Sequence, residues 1–239
     1  TLNPSSAASD VYKRQGDVTV ENFAITDTTG PGILAQNNTF AANKGALFNN
    51  IVISQTNGSQ GVNLSNNSGG NGITLNNVNV TTATGIGLFA STNDIITMTG
   101  TNPVTSTNAA AVSISNGSGD HTLLFSDISS TLSNTNGVFL SGITGGTNTF
   151  DVTGGITIDQ ASGPSLLMQG SNITANVPLT TITNGSGGGI QLVNMNENAT
   201  ETLTFNTANI TTTGTGLLIS NTVTPFDSNG LISFGGGGI

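Results

Sequence analysis

The chain has 239 residues, 33 of them Gly, and only 6% are charged, with three Lys and Arg against twelve Asp and Glu for a net charge of −9. That balance excludes a nucleic-acid binder, which must neutralise phosphates with basic side chains. The lack of Cys excludes disulfides and thiolate metal sites, and no apolar run reaches the ~18 residues of a membrane-crossing helix, so no membrane insertion is expected.

In chain order, the first distinct stretch is SSAASDVYKRQ at residues 5–15. It resembles the translation of a transposase-type sequencing adapter, which implies that residues 1–15 are an artefact, disordered and outside the fold. Setting them aside leaves residues 16–239 with one base, Lys44, against eleven acids.

From there one unit repeats, seen most fully from Asn71 to Phe89. Ile73-x-Leu75 is followed by Asn76-Asn77, then Val78-x-Val80, a polar corner, and Gly85-Ile86-x-Leu88. Apolar residues alternating with polar ones over three or four positions are a strand signal, because successive side chains point to opposite faces. Val, Ile and Thr favour the same state. The motif after the corner recurs as Gly32-Ile33-x-Ala35, Gly61-Val62-x-Leu64, Ala111-Val112-x-Ile114, Gly137-Val138-x-Leu140, Ser165-Leu166-x-Met168, Gly189-Ile190-x-Leu192 and Gly216-Leu217-x-Ile219. From Gly32 to Gly216 is 184 residues over seven intervals, about 26 per repeat. A second column keeps the period: Val18-x-Val20, Leu123-x-Phe125, Val177-x-Leu179, Leu203-x-Phe205 and Ile232-x-Phe234 match Ile73-x-Leu75, with Ala46-x-Phe48 and Ile96-x-Met98 as looser members.

The repeat predicts an all-β fold: a right-handed parallel β-helix of about eight coils of about 26 residues, three short strands per coil, spanning 16–239 as a single segment truncated at both ends. Coils stacked ~4.8 Å apart bury a continuous core that no single coil can bury. Between the first two strands of a coil, Glu21-Asn22, Asn49-Asn50, Asn76-Asn77 and Ser126-Asp127 form a sharp bend. Such a bend needs left-handed backbone, which Asn and Asp tolerate. Asn22, Asn50, Asn77 and Asp127 are therefore expected to stack as a hydrogen-bonded ladder, broken where residues 99–103 and 153–155 lengthen the turn.

With this turn the chain resembles the right-handed parallel β-helices of the pectate-lyase-like superfamily, over about 220 residues. The resemblance implies the fold. Enzymes of that kind use aspartate-held calcium with an Arg or Lys base, or paired aspartates. Here the only Arg is Arg14 in the adapter-like stretch, Lys44 stands alone among natural bases, and no aspartates cluster in one strand. Since glycoside hydrolysis needs two carboxylates flanking the bond, no catalytic residue and no cofactor is expected.

The nearest approach to a metal site is Asp94 with Asp120, 26 residues apart and each just before a strand. Stacked at one corner, they would offer oxygen ligands to a weakly held calcium ion. His121, the only His, is expected as an exposed turn residue. Among outward positions, Phe139 and Leu167 fall in adjacent coils and make a candidate contact patch. Thr26, Ser54, Thr81, Thr105, Thr131 and Thr211 form one outward rank resembling that of ice-binding solenoids, flanked by Ala24, Asn79 and Asn209.

Phe40-Ala41-Ala42-Asn43 followed by Gly45-Ala46-Leu47 resembles the FxxN and GGA[IL] repeats of polymorphic outer-membrane passengers. The expectation is a non-enzymatic structural or adhesive segment of a large bacterial β-helix, secreted or on the cell surface, at the outer membrane if it is an autotransporter passenger. Its expected partners are glycans or the surface of a host or neighbouring cell, with end-to-end self-association of the isolated piece. The alternatives are part of a polysaccharide lyase or glycoside hydrolase whose catalytic coil lies elsewhere, and an ice- or surface-binding solenoid.

Overall fold

The computed structural model describes residues 17–195, 202–220 and 231–238; the adapter-like stretch lies outside them. Every element among the described residues is a strand, and the strands pair in parallel. A small sheet of eight strands takes Ile33–Gln36, Val62–Asn67, Leu88–Asn93, Val112–Ser115, Val138–Ser141, Leu166–Gln169, Ile190–Val193 and Leu217–Ser220 in unbroken chain order. The strands between them form a large sheet of thirteen. The chain thus visits each sheet once per turn, which makes a parallel β-solenoid of about eight coils.

The large sheet holds both remaining strand columns. In coils 1, 2, 3, 5 and 6 they merge into single bent strands, such as Gly45–Gln55 and Gly72–Thr82. Coils 4, 7 and 8 keep them apart, as in Ile96–Thr99 and Val104–Thr107. The expected three strands per coil are therefore two in most coils, because the bend at Asn50 or Asn77 turns the chain without ending its pairing to the coil above.

Three strands of the expected register move by two residues. In coil 3, Leu88 pairs with Val62, so Gly87-Leu88-x-Ala90 occupies the column assigned to Gly85-Ile86-x-Leu88. In coil 7, Ala175 and Val177 pair with Leu203 and Phe205, and Leu179 is exposed. In coil 5, His121 rather than Leu123 pairs with Ile96. A two-residue slip keeps every side chain on its own face, so alternation alone cannot select the register.

The interior is filled by the inward residues of both sheets, with Phe125, Phe150 and Phe205 wholly buried. Phe125 and Phe150 lie 5.7 Å apart between ring centres, and Phe205 stacks on Phe234 at 5.2 Å. Each such side chain contributes about 1.5–3 kcal/mol on burial. Where the two sheets converge, Gly61 is required by contact rather than by backbone angle. A Cβ there would sit 2.2 Å from Val80 Cγ1 and 2.6 Å from the Gly87 oxygen.

The chain leaves the small sheet through one bend in seven successive coils. Asn37, Asn66, Thr92, Asn116, Gly142, Gly170 and Asn194 all have positive φ, between 49° and 61°. This turns the next residue inward, and in coils 1–3 that residue is Asn38, Asn67 or Asn93, each 2% exposed. Asn38 Nδ2 donates to Asn67 Oδ1 at 2.6 Å, and Asn67 Nδ2 donates to Asn93 Oδ1 at 2.7 Å and to the Ala35 oxygen at 2.9 Å. Asn93 Nδ2 closes the file on the Leu64 oxygen at 2.9 Å. Buried amides of this kind are stable only as a connected set.

Asn67→Ala removes the middle of that set and leaves several buried groups without partners. Its loss should be about 3 kcal/mol or more by urea denaturation. Asn66→Gly, one residue earlier at the left-handed bend, should cost under about 1 kcal/mol.

Candidate functional site

The outer bend of coils 1–3 carries two parallel files of amides. Asn22, Asn50 and Asn77 have φ of 59°, 52° and 54°. Asn50 Nδ2 donates to Asn22 Oδ1 and Asn77 Nδ2 to Asn50 Oδ1, both at 3.1 Å. Beside them, Asn49 Nδ2 donates to Glu21 Oε1 at 3.2 Å and Asn76 Nδ2 to Asn49 Oδ1 at 2.8 Å. The first file ends when the Thr101 N–H donates to Asn77 Oδ1 at 2.8 Å. Asp127 stands apart: its backbone is outside the left-handed region, and it pairs with Gly155.

The reason lies in coil 4. In coil 3 the bend follows Leu75, whereas in coil 5 an additional inward residue, Phe125, precedes it, so the corner migrates by two positions. Asn102, wholly buried, spans the step. Its Oδ1 accepts the Val78 N–H at 2.9 Å, and its Nδ2 donates to the Thr99 oxygen at 2.9 Å and the Leu124 oxygen at 3.1 Å. One side chain thus serves three coils. In coil 6 an extra residue between Val152 and Gly155, opposite Phe125 and Asp127, shifts the register again.

Asp94 and Asp120 are not directly stacked. Asp94 Oδ1 accepts from Ser118 Oγ at 2.8 Å and its Oδ2 from the Gly69 N–H at 2.8 Å. Asp120 Oδ1 accepts the Thr147 N–H at 2.7 Å. Each carboxylate fastens a turn of a neighbouring coil. Among the described residues, no group of three or more His, Asp and Glu side chains is placed to hold a metal ion.

His121 overturns the expectation of an exposed turn residue. It is 0% exposed, paired in register with Ile96, and its N–H donates to Asn148 Oδ1 at 3.0 Å. The ring lies over Gly117, where a Cβ would come within 2.3 Å of Nε2. Neither ring nitrogen has a hydrogen-bond partner. Burial pushes its pKa down to about 4, against the opposing pull of Asp120 and Asp94. The sequence carried a signal for this: at Gly117 the inward Asn of the preceding three coils is missing, and a large side chain four residues on takes the space.

Other acids respond to local partners. Asp17 lies below the ordinary carboxylate range through its bond to Lys44 Nζ, at 3.0 Å, and the Gly45 N–H. Asp27 is lowered by the Thr56 hydroxyl and N–H. Asp151 is raised by burial, partly offset by the Asn176 N–H.

The outer face of the small sheet is a regular, uncharged surface. None of its eight strands contains Asp, Glu, Lys, Arg or His. Phe139 and Leu167 are direct register partners on it and half-buried. The same file contains Ser113 and Phe89, the latter placed outward by the two-residue shift of coil 3. Phe89 and Phe139 are thus two coils apart, ~9.6 Å at the ordinary strand spacing. Alongside runs a polar file in which Ser115 Oγ donates to Ser91 Oγ at 3.3 Å and Gln169 Nε2 to Ser141 Oγ at 3.1 Å.

Comparison of the chain with protein-family models, with curated proteins and with solved structures finds no match.

The buried histidine sets an acid sensitivity whose sign follows from its pKa. His121 is neutral when folded down to about pH 4 and protonates near 6.5 when unfolded. Stability is therefore full above about pH 6.5 and falls through the interval down to about pH 4, by up to about 3 kcal/mol. Denaturant titrations across this range should show that loss, and His121→Leu should remove most of it.

Proposed function

We propose that this chain is a non-enzymatic, adhesive segment of a bacterial β-helix displayed on the cell surface or secreted, and that it holds neutral glycans on the outer face of its small sheet. The observation that carries this reading is the uncharged face of eight strands with Phe89, Phe139 and Leu167 in one outward file. Sugar rings stack their C–H faces on aromatic side chains. Flanking Ser and Gln supply hydroxyl and amide partners, and a file repeated coil after coil converts weak contacts into avidity. An acidic polysaccharide fits less well, since the rest of the chain carries a net negative charge.

Affinity electrophoresis through gels containing soluble neutral β-glucans should retard the protein. Phe89→Ser with Phe139→Ser should reduce retardation about tenfold, two aromatic contacts at roughly 0.5–1.5 kcal/mol each, with an unchanged melting curve. Equal mobility with and without glycan for the unaltered protein would sink the reading.

End-to-end association belongs to the same proposal. Phe23 is 45% exposed although its register partner Ile51 is fully buried, and among the described residues the strand Val18–Thr26 pairs with Gly45–Gln55 alone, which leaves its other edge open to a strand of a second copy. Sedimentation at rising concentration should show larger species, and Phe23→Lys should shift them back.

A further inference from the structure

Register on the other sheet aligns a second regular surface. Thr26, Ser54, Thr81, Thr105, Ser129, Thr157 and Thr181 are consecutive parallel partners, one per coil, all facing outward. Two residues further along in coils 4–7, Thr107, Thr131, Asp159 and Thr183 form a second file in register with the first. Thr131 therefore belongs to this second file and not to the rank expected from sequence, and the surface has two ranks where one was expected.

The two files make a grid. Neighbouring coils are ~4.8 Å apart, and residues two apart along a strand are ~6.6 Å apart. Seven hydroxyls of the first file have no hydrogen-bond partner among the described residues. In the second file, Asp159 is the only charge, and its Oδ1 already accepts from Thr183 Oγ1 at 2.8 Å and Asn184 Nδ2 at 3.0 Å. Thr is stiff about χ1, so its hydroxyl and methyl are held at fixed points on a backbone that is itself fixed by bonds above and below. Such a surface presents unsatisfied donors and acceptors at a constant repeat, which suits a partner that is also periodic and made of small hydrogen-bonding units.

We infer that this face binds ice. Water ordered over the hydroxyl files, with the methyls seated between water positions, merges with the lattice at an ice surface. A crystalline polysaccharide fits less well, because these two files contain no aromatic ring on which sugars would stack. The inference is independent of the glycan reading, which concerns the opposite sheet.

The test is growth of a single ice crystal in a solution of the fluorescently labelled protein, together with thermal hysteresis in a nanolitre osmometer. The labelled protein should enter the ice and hysteresis should be measurable. Thr105→Tyr with Thr157→Tyr keeps strand-favouring residues but breaks the grid, and should abolish both effects while the circular dichroism melt is unchanged. Phe139→Ser, on the other sheet, should leave both intact. Exclusion of the unaltered protein from ice, or full activity of the double Tyr variant, would overturn the inference. Thr157-dependent adsorption to crystalline cellulose without hysteresis would overturn it too, by assigning the face to a polysaccharide.

Discussion

Every coil is fixed to the next by backbone hydrogen bonds in parallel register, and this fixes what each side chain must sit beside. In an ordinary sheet a residue's neighbours differ in kind. Here position repeats over position at ~4.8 Å, so an unfavourable pairing recurs for as long as the column does. The files are the result: amides over amides at Asn22, Asn50 and Asn77, hydroxyls over hydroxyls from Thr26 to Thr181, rings over rings at Phe125 and Phe150. A side chain that can both donate and accept, such as Asn, satisfies itself against its own copy, as the Asn22, Asn50 and Asn77 file does. That property explains the abundance of Asn better than strand preference, since Asn is a poor strand former.

The same constraint makes any change of cross-section costly, because it breaks every column at once. The step between coils 3 and 5 shows how it is absorbed. The inner amide file stops at Asn93, Gly117 vacates the next place, and the His121 ring occupies the room. On the opposite corner Asn102 takes over backbone groups of three coils that the migrating bend would strand. Both buried polar residues are thus consequences of one two-residue shift in the corner. His121 meets the weaker compensation, with its ring nitrogens unpartnered, so acid weakens the rod at this joint first.

The period, the fold class and seven of the eight members of the small-sheet column were legible in the sequence, because each coil repeats Gly or a small residue before an alternating pair. Register within a coil was not. Alternation repeats every two residues, so Ile86 and Leu88, or Val177 and Leu179, look equally suited to one column. The second hydroxyl file was hidden for the same reason: Thr105 and Thr131 align by eye, yet Thr131 pairs with Thr107. The inner amide file was legible in principle, as Asn37-Asn38, Asn66-Asn67 and Thr92-Asn93 recur at the coil period. What concealed it is that the two residues of each pair do opposite things, one bending the chain in solvent and the next entering the core. His121 was misread because its neighbours Asp120 and Thr122 are polar, and only the register with Ile96 turns the residue between them inward.

Charge shows the constraint most sharply. Two carboxylates stacked in one column would repel by about 1 kcal/mol in water and by more where solvent is partly excluded, and the repulsion would recur in every coil that repeated the residue. The acids avoid this without exception among the paired positions. Glu21 faces Asn49, Asp127 faces Gly155, Asp151 lies between Leu124 and Asn176, and Asp159 between Thr131 and Thr183. Glu21 and Asp159 place their oxygens toward side-chain donors of the adjacent coil, as Asp27 does toward the Thr56 N–H and Asp120 toward the Thr147 N–H. An Asp in this architecture acts as a one-step ladder that cannot be extended, because it accepts but does not donate, whereas an Asn in the same place can be repeated indefinitely. Low charge in this chain is therefore a structural requirement of stacking like on like, and the small sheet, whose eight strands carry no charged residue, meets it most fully.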